Sequence, residues 1–352
     1  MYFRHICFAI LLLLALNEKS FAQKIKAKNT FKVSYYNLNN LYDTIANANL
    51  ADSNYTPLGK YEWNTEKYNS KLQHAAIAIY SLHDSLGADF IGLAGVENEN
   101  VLKDLIATPL LYKMKYQFVF SKGEKRDGLG MAILYKPKKV KYLWDSSFSV
   151  TGTKKPWEKS IVGAIHAKVM VKNEVFDIVL CDFPNPFEST QDAYFSLRMN
   201  AINQVSNYLT SHHLKDGQRT IIMGTLSMEP TAPMFSVLLN TAHPDSAIYK
   251  YQKLVPLALF CDSATGTYFK DRVPFHFDQV LLCKQLYSNH AGWQYLKGSY
   301  KIYNPAWMLH PERIKTGHPF ENFHNDKWIG GFSNHFPISF TLVYAKKRKE
   351  VN

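Results

Sequence analysis

The sequence predicts an α/β protein that folds as a four-layer α-β-β-α sandwich, with two packed mixed β-sheets between helices. Strand-like segments occur both in consecutive runs and between helical segments, which suits two packed sheets better than one doubly wound sheet. The chain has 352 residues, 46% of them apolar and 14% aromatic, enough to bury one large core or two small ones. Because no repeat, low-complexity tract or linker divides the chain, we predict a single domain.

Hydrophobic periodicity assigns the elements of the first half. A strand is predicted over 31–36, which is rich in β-branched and aromatic residues. A helix is predicted over 65–86, where apolar residues recur at helical spacing. The other predicted elements of this half are a buried strand over 89–94, a helix over 98–111, and strands over 116–120, 131–135, 161–171 and 175–181.

The second half opens with a long amphipathic helix over 190–212. Ser189 or Thr190 is suited to cap its start. The paired His212 and His213 at its end are expected to be exposed to solvent. The last predicted strands span 220–223, 277–283 and 337–344.

The first 22 residues have the layout of a signal peptide. Arg4 and His5 precede an apolar run over 6–16, and small residues stand before Gln23. A membrane-spanning helix needs about 20 apolar residues, and this run is about half as long. We therefore expect export to the periplasm or the medium and a mature chain over 23–352 without a transmembrane segment.

Three cysteines remain after the predicted cleavage, in what would be an oxidising compartment. Cys181 and Cys283 lie in apolar, strand-like segments, which predicts buried free thiols. A bridge between Cys261 and Cys283 stays open as an alternative. None of the cysteines has the spacing of a metal finger.

The formal net charge is +12, from 41 Lys and Arg against 29 Asp and Glu. Such a charge favours nucleic acid or another phosphorylated or anionic ligand. The basic residues are scattered, and no stripe alternates basic with aromatic side chains, so solubility is the alternative interpretation. Nothing in the pattern predicts an oligomeric state.

Five segments, each at the end of a predicted strand, carry polar residues in a distinctive order. They span 36–43, 89–98, 221–230, 277–281 and 330–338. Their order resembles the motifs of the endonuclease/exonuclease/phosphatase family over nearly the whole mature chain. The resemblance implies the four-layer fold and, as the ancestral activity, metal-dependent hydrolysis of phosphodiester or phosphomonoester bonds. In that chemistry a carboxylate holds Mg²⁺ or a similar hard cation, and a His-Asp pair stands near the attacking water.

Three polar residues match the family's catalytic positions: Asn37, Asp278 and His335. The resemblance implies that they are the catalytic residues of any remaining activity. Each also has a structural interpretation that needs no catalysis. Asn37 suits an Asx turn, Asp278 a loop cap, and His335 a hydrogen-bonded core histidine.

Five other positions depart from the family pattern, and the losses fall mainly on charged groups. Against that pattern, Gly95 replaces a metal-binding Glu, Asp182 a phosphate-contacting His, and Asn334 an Asp, while Thr225 and Ser227 replace an Asp and an Asn. Framing residues persist at Gly224, Glu229, Pro230, Gly330, Gly331 and Pro337. A hydroxyl hardly charges near neutral pH and is no general base without charging. We therefore predict a pseudoenzyme that holds no metal.

Two alternatives remain. In the first, the chain is an active Mg- or Mn-dependent nuclease or phosphatase with a rebuilt site, in which Asp182 and Asp278 hold the metal and His335 acts as a base or phosphate contact. In the second, it is a non-catalytic binder of anionic polymer. Glu97 lies two residues beyond Gly95, about 6 to 7 Å along a continued strand, which is too far to replace the missing ligand.

Overall fold

The computed structural model describes residues 29–47, 52–121, 128–150, 162–187, 191–214, 219–246, 254–262, 264–288 and 292–345. The predicted signal peptide and the predicted capping residues Ser189 and Thr190 lie outside these residues.

The first of two large sheets, sheet A, has seven strands within the described ranges, in the order β13-β17-β1-β2-β4-β3, with β14 also paired to β17. Strands β1 and β2 run parallel and the other pairs antiparallel, so the sheet is mixed. Its strands are β1 (Thr30–Leu41), β2 (Phe90–Val96), β3 (Gln117–Ser121), β4 (Gly130–Tyr135), β13 (Gly292–Tyr295), β14 (Lys301–Ile302) and β17 (Ile338–Ala345).

The second sheet, sheet B, has the order β5-β6-β7-β8-β12-β9, with β7 and β8 parallel and the other pairs antiparallel. Its strands are β5 (Lys141–Val150), β6 (Val162–Val171), β7 (Glu174–Asp182), β8 (Thr220–Thr225), β9 (Leu254–Pro256) and β12 (Asp278–Cys283). Two further hairpins pair β10 (Tyr268–Lys270) with β11 (Val273–Phe275), and β15 (Phe323–His324) with β16 (Lys327–Trp328).

The helices form the outer layers. They are α1 (Thr65–Ser85), α2 (Glu99–Ala107), α3 (Pro109–Tyr112), α4 (Gln191–Ser211), α5 (Pro233–Leu239) and α6 (Lys284–Ser288), with 3₁₀ turns at Leu257–Phe260, Ala306–Met308 and Pro311–Thr316. None of the helices among the described residues is both long enough and apolar enough to cross a membrane.

The alternation of side chains along β1 shows how the layers stack. Phe31, Val33 and Tyr35 face one way and join the cluster that includes the strands of sheet B, so the main core lies between the two sheets. Tyr36 and Leu38 face the other way and pack with α1 and α2. On the far side, α4 contributes apolar residues to the cluster of sheet B. This is the predicted four-layer sandwich, with mixed sheets.

Two details of the helix prediction were wrong. The single helix predicted over 98–111 is two helices, because Thr108 is not helical (φ −55°, ψ 146°) and Pro109, which has no amide hydrogen to donate, begins α3. Within α1, residues Leu82 to Asp84 depart from helical backbone angles. In addition, β1 continues beyond the predicted residue 36 to Leu41.

The prediction of buried free thiols is confirmed. Cys181 and Cys283 are buried free thiols, and Cys261, which is half-buried, is also free. The bridge between Cys261 and Cys283 that the sequence left open does not form in this structure.

Candidate active site

The candidate site is built on a row of three residues across the end of sheet B. Asp182 of β7 pairs with Thr225 of β8, and Thr225 pairs with Asp278 of β12. Directly paired residues share one face of a sheet, with adjacent strands about 4.8 Å apart. All three are buried. The row faces β1 of sheet A, because Thr225 contacts Tyr35 and Asn37 there.

Thr225 is the centre of this site. Its Oγ1 donates to Asp278 Oδ1 at 2.6 Å and accepts from Asn37 Nδ2 at 3.0 Å. The Tyr35 hydroxyl lies 3.0 Å from the same oxygen, and since Thr225 gives its proton to Asp278, Tyr35 is the donor. One donated and two accepted bonds are the whole hydrogen-bonding capacity of a hydroxyl. Burial, with Asp182 and Asp278 nearby, raises the pKa of Tyr35, so its phenol keeps its proton.

Asp278 and His335 form a buried pair. Asp278 Oδ2 lies 2.6 Å from His335 Nδ1, and because an ionised carboxylate only accepts, Nδ1 carries the proton. The Tyr268 ring lies 5.1 Å from the His335 ring and restricts its orientation. Both oxygens of Asp278 therefore have a donor at 2.6 Å, one from Thr225 and one from His335.

The loop before β17 is tied to the end of β1. Ser333 Oγ donates to the carbonyl of Asn37 at 2.7 Å and accepts from the His335 amide at 3.1 Å. Asn37 Oδ1 accepts from the Asn39 amide at 3.0 Å, which is the Asx turn that the sequence suggested. Asn37 thus holds both its own turn and Thr225.

A buried lysine supports the same turn from α1. Lys71 is 1% exposed, and its Nζ donates to the carbonyls of Leu38 at 2.6 Å, Asn39 at 2.9 Å and Phe332 at 3.2 Å. Burial lowers the pKa of Lys71 to about 7. Lys71 therefore joins the end of β1 to the glycine turn before His335.

The position that the resemblance assigns to a metal-binding Glu is crowded and strained for any side chain. Gly95 has φ +72°, and a Cβ there would lie 3.0 Å from the Asn39 nitrogen and 3.2 Å from the Asn40 nitrogen. Asn39 and Asn40 are themselves left-handed, with φ of 48° and 66°, a conformation that Asn tolerates better than most residues. The end of β1 thus folds over Gly95.

Two further positions that the resemblance singles out, Ser227 and Asn334, hold neutral side chains. Ser227, with φ +53°, donates to the Phe183 carbonyl at 3.0 Å. Asn334 Oδ1 is buried and has no partner among the residues that the structure describes. A carboxylate in that place would bury an uncompensated charge, which costs far more than an unpaired amide oxygen.

Glu97 belongs to a different group of side chains. Its Oε2 accepts from the Asp43 amide at 2.6 Å. Burial, with Asp43 and Asp52 nearby, raises the pKa of Glu97 to about 7. It therefore does not join the row at Thr225, in line with the distance argument from the sequence.

The residues do not fit the hard cation that the family resemblance implies. Such a cation is held by one or two carboxylates, but Gly95 has no side chain, each oxygen of Asp278 already accepts a hydrogen bond, and Asp182 stands two strands away from Asp278 in the row. Across the described ranges, no three His, Cys, Asp or Glu side chains form a group that could hold a metal ion.

The structure thus brings together most of the residues that the sequence singled out: Asn37, Asp182, Thr225, Asp278 and His335. Sequence reasoning missed Tyr35 and Lys71. Tyr35 could have been found, since strand alternation places it on the same face as Asn37. Lys71 also gave a signal, because it stands one helical turn before Ala75 on the apolar face of α1.

Residues 32–344 match the family model described as the Endonuclease/Exonuclease/phosphatase family. The chain belongs to the endonuclease/exonuclease/phosphatase family. No curated protein matches the sequence significantly.

Three solved structures illustrate how the family fold recurs. A family protein from Bacteroides thetaiotaomicron is 16% identical, with 90% of this chain and 98% of that chain covered, at a TM-score of 0.54. The mannosyl-6-phosphatase of B. thetaiotaomicron VPI-5482 is 16% identical, with 89% and 100% covered, at 0.53. The human Nocturnin catalytic domain with bound sulfate is 13% identical, with 90% and 95% covered, at 0.52. At these identities the similarity shows the fold alone.

The Thr225 network predicts a stability effect. Thr225→Val keeps the shape but removes the hydroxyl, which leaves Asn37 Nδ2, the Tyr35 hydroxyl and Asp278 Oδ1 each short of one buried hydrogen bond. We expect the free energy of unfolding to fall by about 2 to 4 kcal/mol. Thr225→Ser keeps the hydroxyl and loses one methyl group, at a cost of about 1 kcal/mol. Urea unfolding measures both values, and equal losses in the two variants would contradict the network.

Lys71 predicts a pH dependence of stability. Its pKa is about 7 in the folded protein and 10.5 unperturbed, so folding releases a proton between these values. The cost of burying the charge is fully present below pH 7 and disappears as the pH approaches 10.5. Lys71 should therefore add up to about 1.4 kcal/mol of stability per pH unit as pH rises. Urea unfolding of Lys71→Met should lack this slope, and the exposed Lys103→Met should keep it. A Lys71→Met slope equal to that of the unsubstituted protein would refute the assignment.

Proposed function

We propose that this chain is an exported member of the family that no longer hydrolyses phosphate esters by the metal-dependent reaction and acts by binding. The observation that carries the proposal is the engagement of Asp278. Its Oδ1 accepts from Thr225, the hydroxyl that stands where the family pattern has an acid, and its Oδ2 faces His335, both at 2.6 Å. We take the carboxylate to serve this internal network rather than a cation. The signal-peptide layout of residues 1–22 supports export.

The neutral replacements support the same proposal. In the family pattern, the positions of Gly95, Thr225 and Asn334 hold acids. Here these three positions hold a bare backbone, a hydroxyl and an amide, in that order. None of them is charged, so they need no cation to offset repulsion between carboxylates. Thr225 cannot supply a general base near neutral pH. The net charge of +12 supports an anionic ligand, such as nucleic acid or another phosphorylated molecule, as the bound partner.

An active hydrolase with a rebuilt site is the second candidate. The 2.6 Å pair of Asp278 and His335 favours it, since a carboxylate that orients an imidazole is the arrangement of a general base. In that case Asp182 and Asp278 would share Mg²⁺ or Mn²⁺. Thr225 lies between them in the row, which places their backbones about 9.6 Å apart, two strand spacings.

Turnover assays with and without Mg²⁺ or Mn²⁺ separate the candidates. Suitable substrates are plasmid DNA, bis(p-nitrophenyl) phosphate, p-nitrophenyl phosphate, and mannose 6-phosphate, the last because one structural neighbour is a mannosyl-6-phosphatase. We expect no metal-dependent hydrolysis above the level of Asp278→Ala with any of them.

Metal-dependent turnover that Asp278→Ala and Asp182→Ala both abolish would establish the rebuilt site instead. Asp326→Ala is the matched control, because it removes an exposed carboxylate that pairs with Lys60 at the surface. Circular dichroism of each variant checks that it is folded.

A further inference from the structure

A pocket lies on the outer face of sheet B, away from the row at Thr225. Its volume is about 410 Å³, within the range of small-molecule sites. Trp144 of β5, His166 and Lys168 of β6, Asp177 of β7 and His212 after α4 are among its lining residues. Asp177 and Asp182 are five residues apart on β7, so about 17 Å of strand separates this pocket from the row at Thr225.

The floor of the pocket is a fixed chain of hydrogen bonds. His166 is 2% exposed, with Nε2 2.8 Å from Asp177 Oδ1 and Nδ1 3.0 Å from the Tyr208 hydroxyl. Because the carboxylate only accepts, Nε2 carries a proton, and in the neutral imidazole Nδ1 accepts from the Tyr208 hydroxyl. Burial and the nearby Asp177 raise the pKa of Tyr208, so this donor keeps its proton. The floor is therefore preformed.

The charged groups in the pocket balance each other. Lys168 Nζ lies 3.7 Å from Asp177 Oδ1, with side-chain exposures of 46% and 23%. Lys168 and His166 both approach Oδ1, and Oδ2 of Asp177 has no partner among the described contacts. A ligand therefore meets an ammonium donor and a carboxylate acceptor side by side. A strongly charged ligand would be attracted by one of them and repelled by the other.

The walls add an aromatic surface and one more acceptor. Trp144 is perpendicular to the His166 ring at 5.3 Å and keeps 44% of its surface exposed. His212 stacks on Tyr208 at 4.0 Å, and its Nδ1 lies 2.9 Å from the Tyr208 carbonyl. Nδ1 therefore carries the proton of neutral His212, and the exposed Nε2 is an acceptor.

We propose that this pocket binds a neutral sugar residue. A sugar hydroxyl can both donate and accept a hydrogen bond. Two adjacent hydroxyls can therefore accept from the Lys168 ammonium and donate to the Asp177 carboxylate, which no singly charged group does. The apolar face of a pyranose ring would cover the exposed indole of Trp144 and gain from its burial. The site is independent of the family's catalytic positions, so it holds whether or not the row at Thr225 has any activity.

The test is a titration of the ¹⁵N-labelled mature chain with glucose, galactose, mannose and N-acetylglucosamine. The indole N–H resonance of Trp144, identified by its loss in Trp144→Phe, reports on the pocket. We expect saturable shifts of this resonance with at least one sugar. Saturation-transfer NMR should show affinity weakened at least about tenfold in Trp144→Ala, and weakened also in the separate variant Lys168→Met. Trp307→Ala removes a similarly exposed tryptophan, 42% accessible, and should leave affinity unchanged.

Three results would overturn the proposal. The first is that none of the sugars shifts the Trp144 resonance. The second is that sugar affinity is the same in the protein and in both Trp144→Ala and Lys168→Met. The third is that inorganic phosphate or spermidine, used as charged probes, shifts the resonance while the sugars do not, which would make the pocket an ion site.

Discussion

The centre of this protein depends on the compensation of one buried carboxylate. Asp278 is 1% exposed, and an ionised carboxyl group at such depth is stable only with donors on its oxygens. Thr225 and His335 supply them. Each donor is held in turn, Thr225 by Tyr35 and Asn37 of β1, and His335 by the loop that Ser333 ties to the same strand. The charge of one side chain therefore links the ends of the two sheets.

The same requirement fits the proposed loss of the family's acids from a framework that persists. Several carboxylates around one point repel one another unless a cation lies between them. At the positions where the resemblance places acids, this chain has a hydroxyl at Thr225, an amide at Asn334 and a bare backbone at Gly95, over which the end of β1 closes. Lys71 holds that closed turn through three carbonyls. The result is a polar network satisfied almost entirely by the protein itself.

Much of this was predictable because strand alternation and helical periodicity report burial directly. The four layers, most of the main strands and the grouping of Asn37, Thr225, Asp278 and His335 were indicated by residue patterns and family motifs, but the ten-residue strand β5 was not predicted. Short strands such as β9, β10 and β11 have three residues each, too few to show a period. The turn over Gly95 depends on the left-handed backbone of Asn39 and Asn40, which the residue types permit but do not require. Lys71 lies on the apolar face of α1, which was a signal, but its partners are backbone carbonyls, so no side-chain motif pointed to its role.

The most direct test of the account is the binding of Mn²⁺, followed by electron paramagnetic resonance of the free ion during a titration of the mature chain. Because Asp278 serves the hydrogen-bond network in this account, Mn²⁺ binding should be the same in the unsubstituted protein, Asp278→Asn and Asp182→Asn, with no stoichiometric site lost. One equivalent of tightly bound Mn²⁺ that disappears in Asp278→Asn, while the exposed control Asp326→Asn retains it, would contradict the claim that hydrogen bonds have replaced the metal.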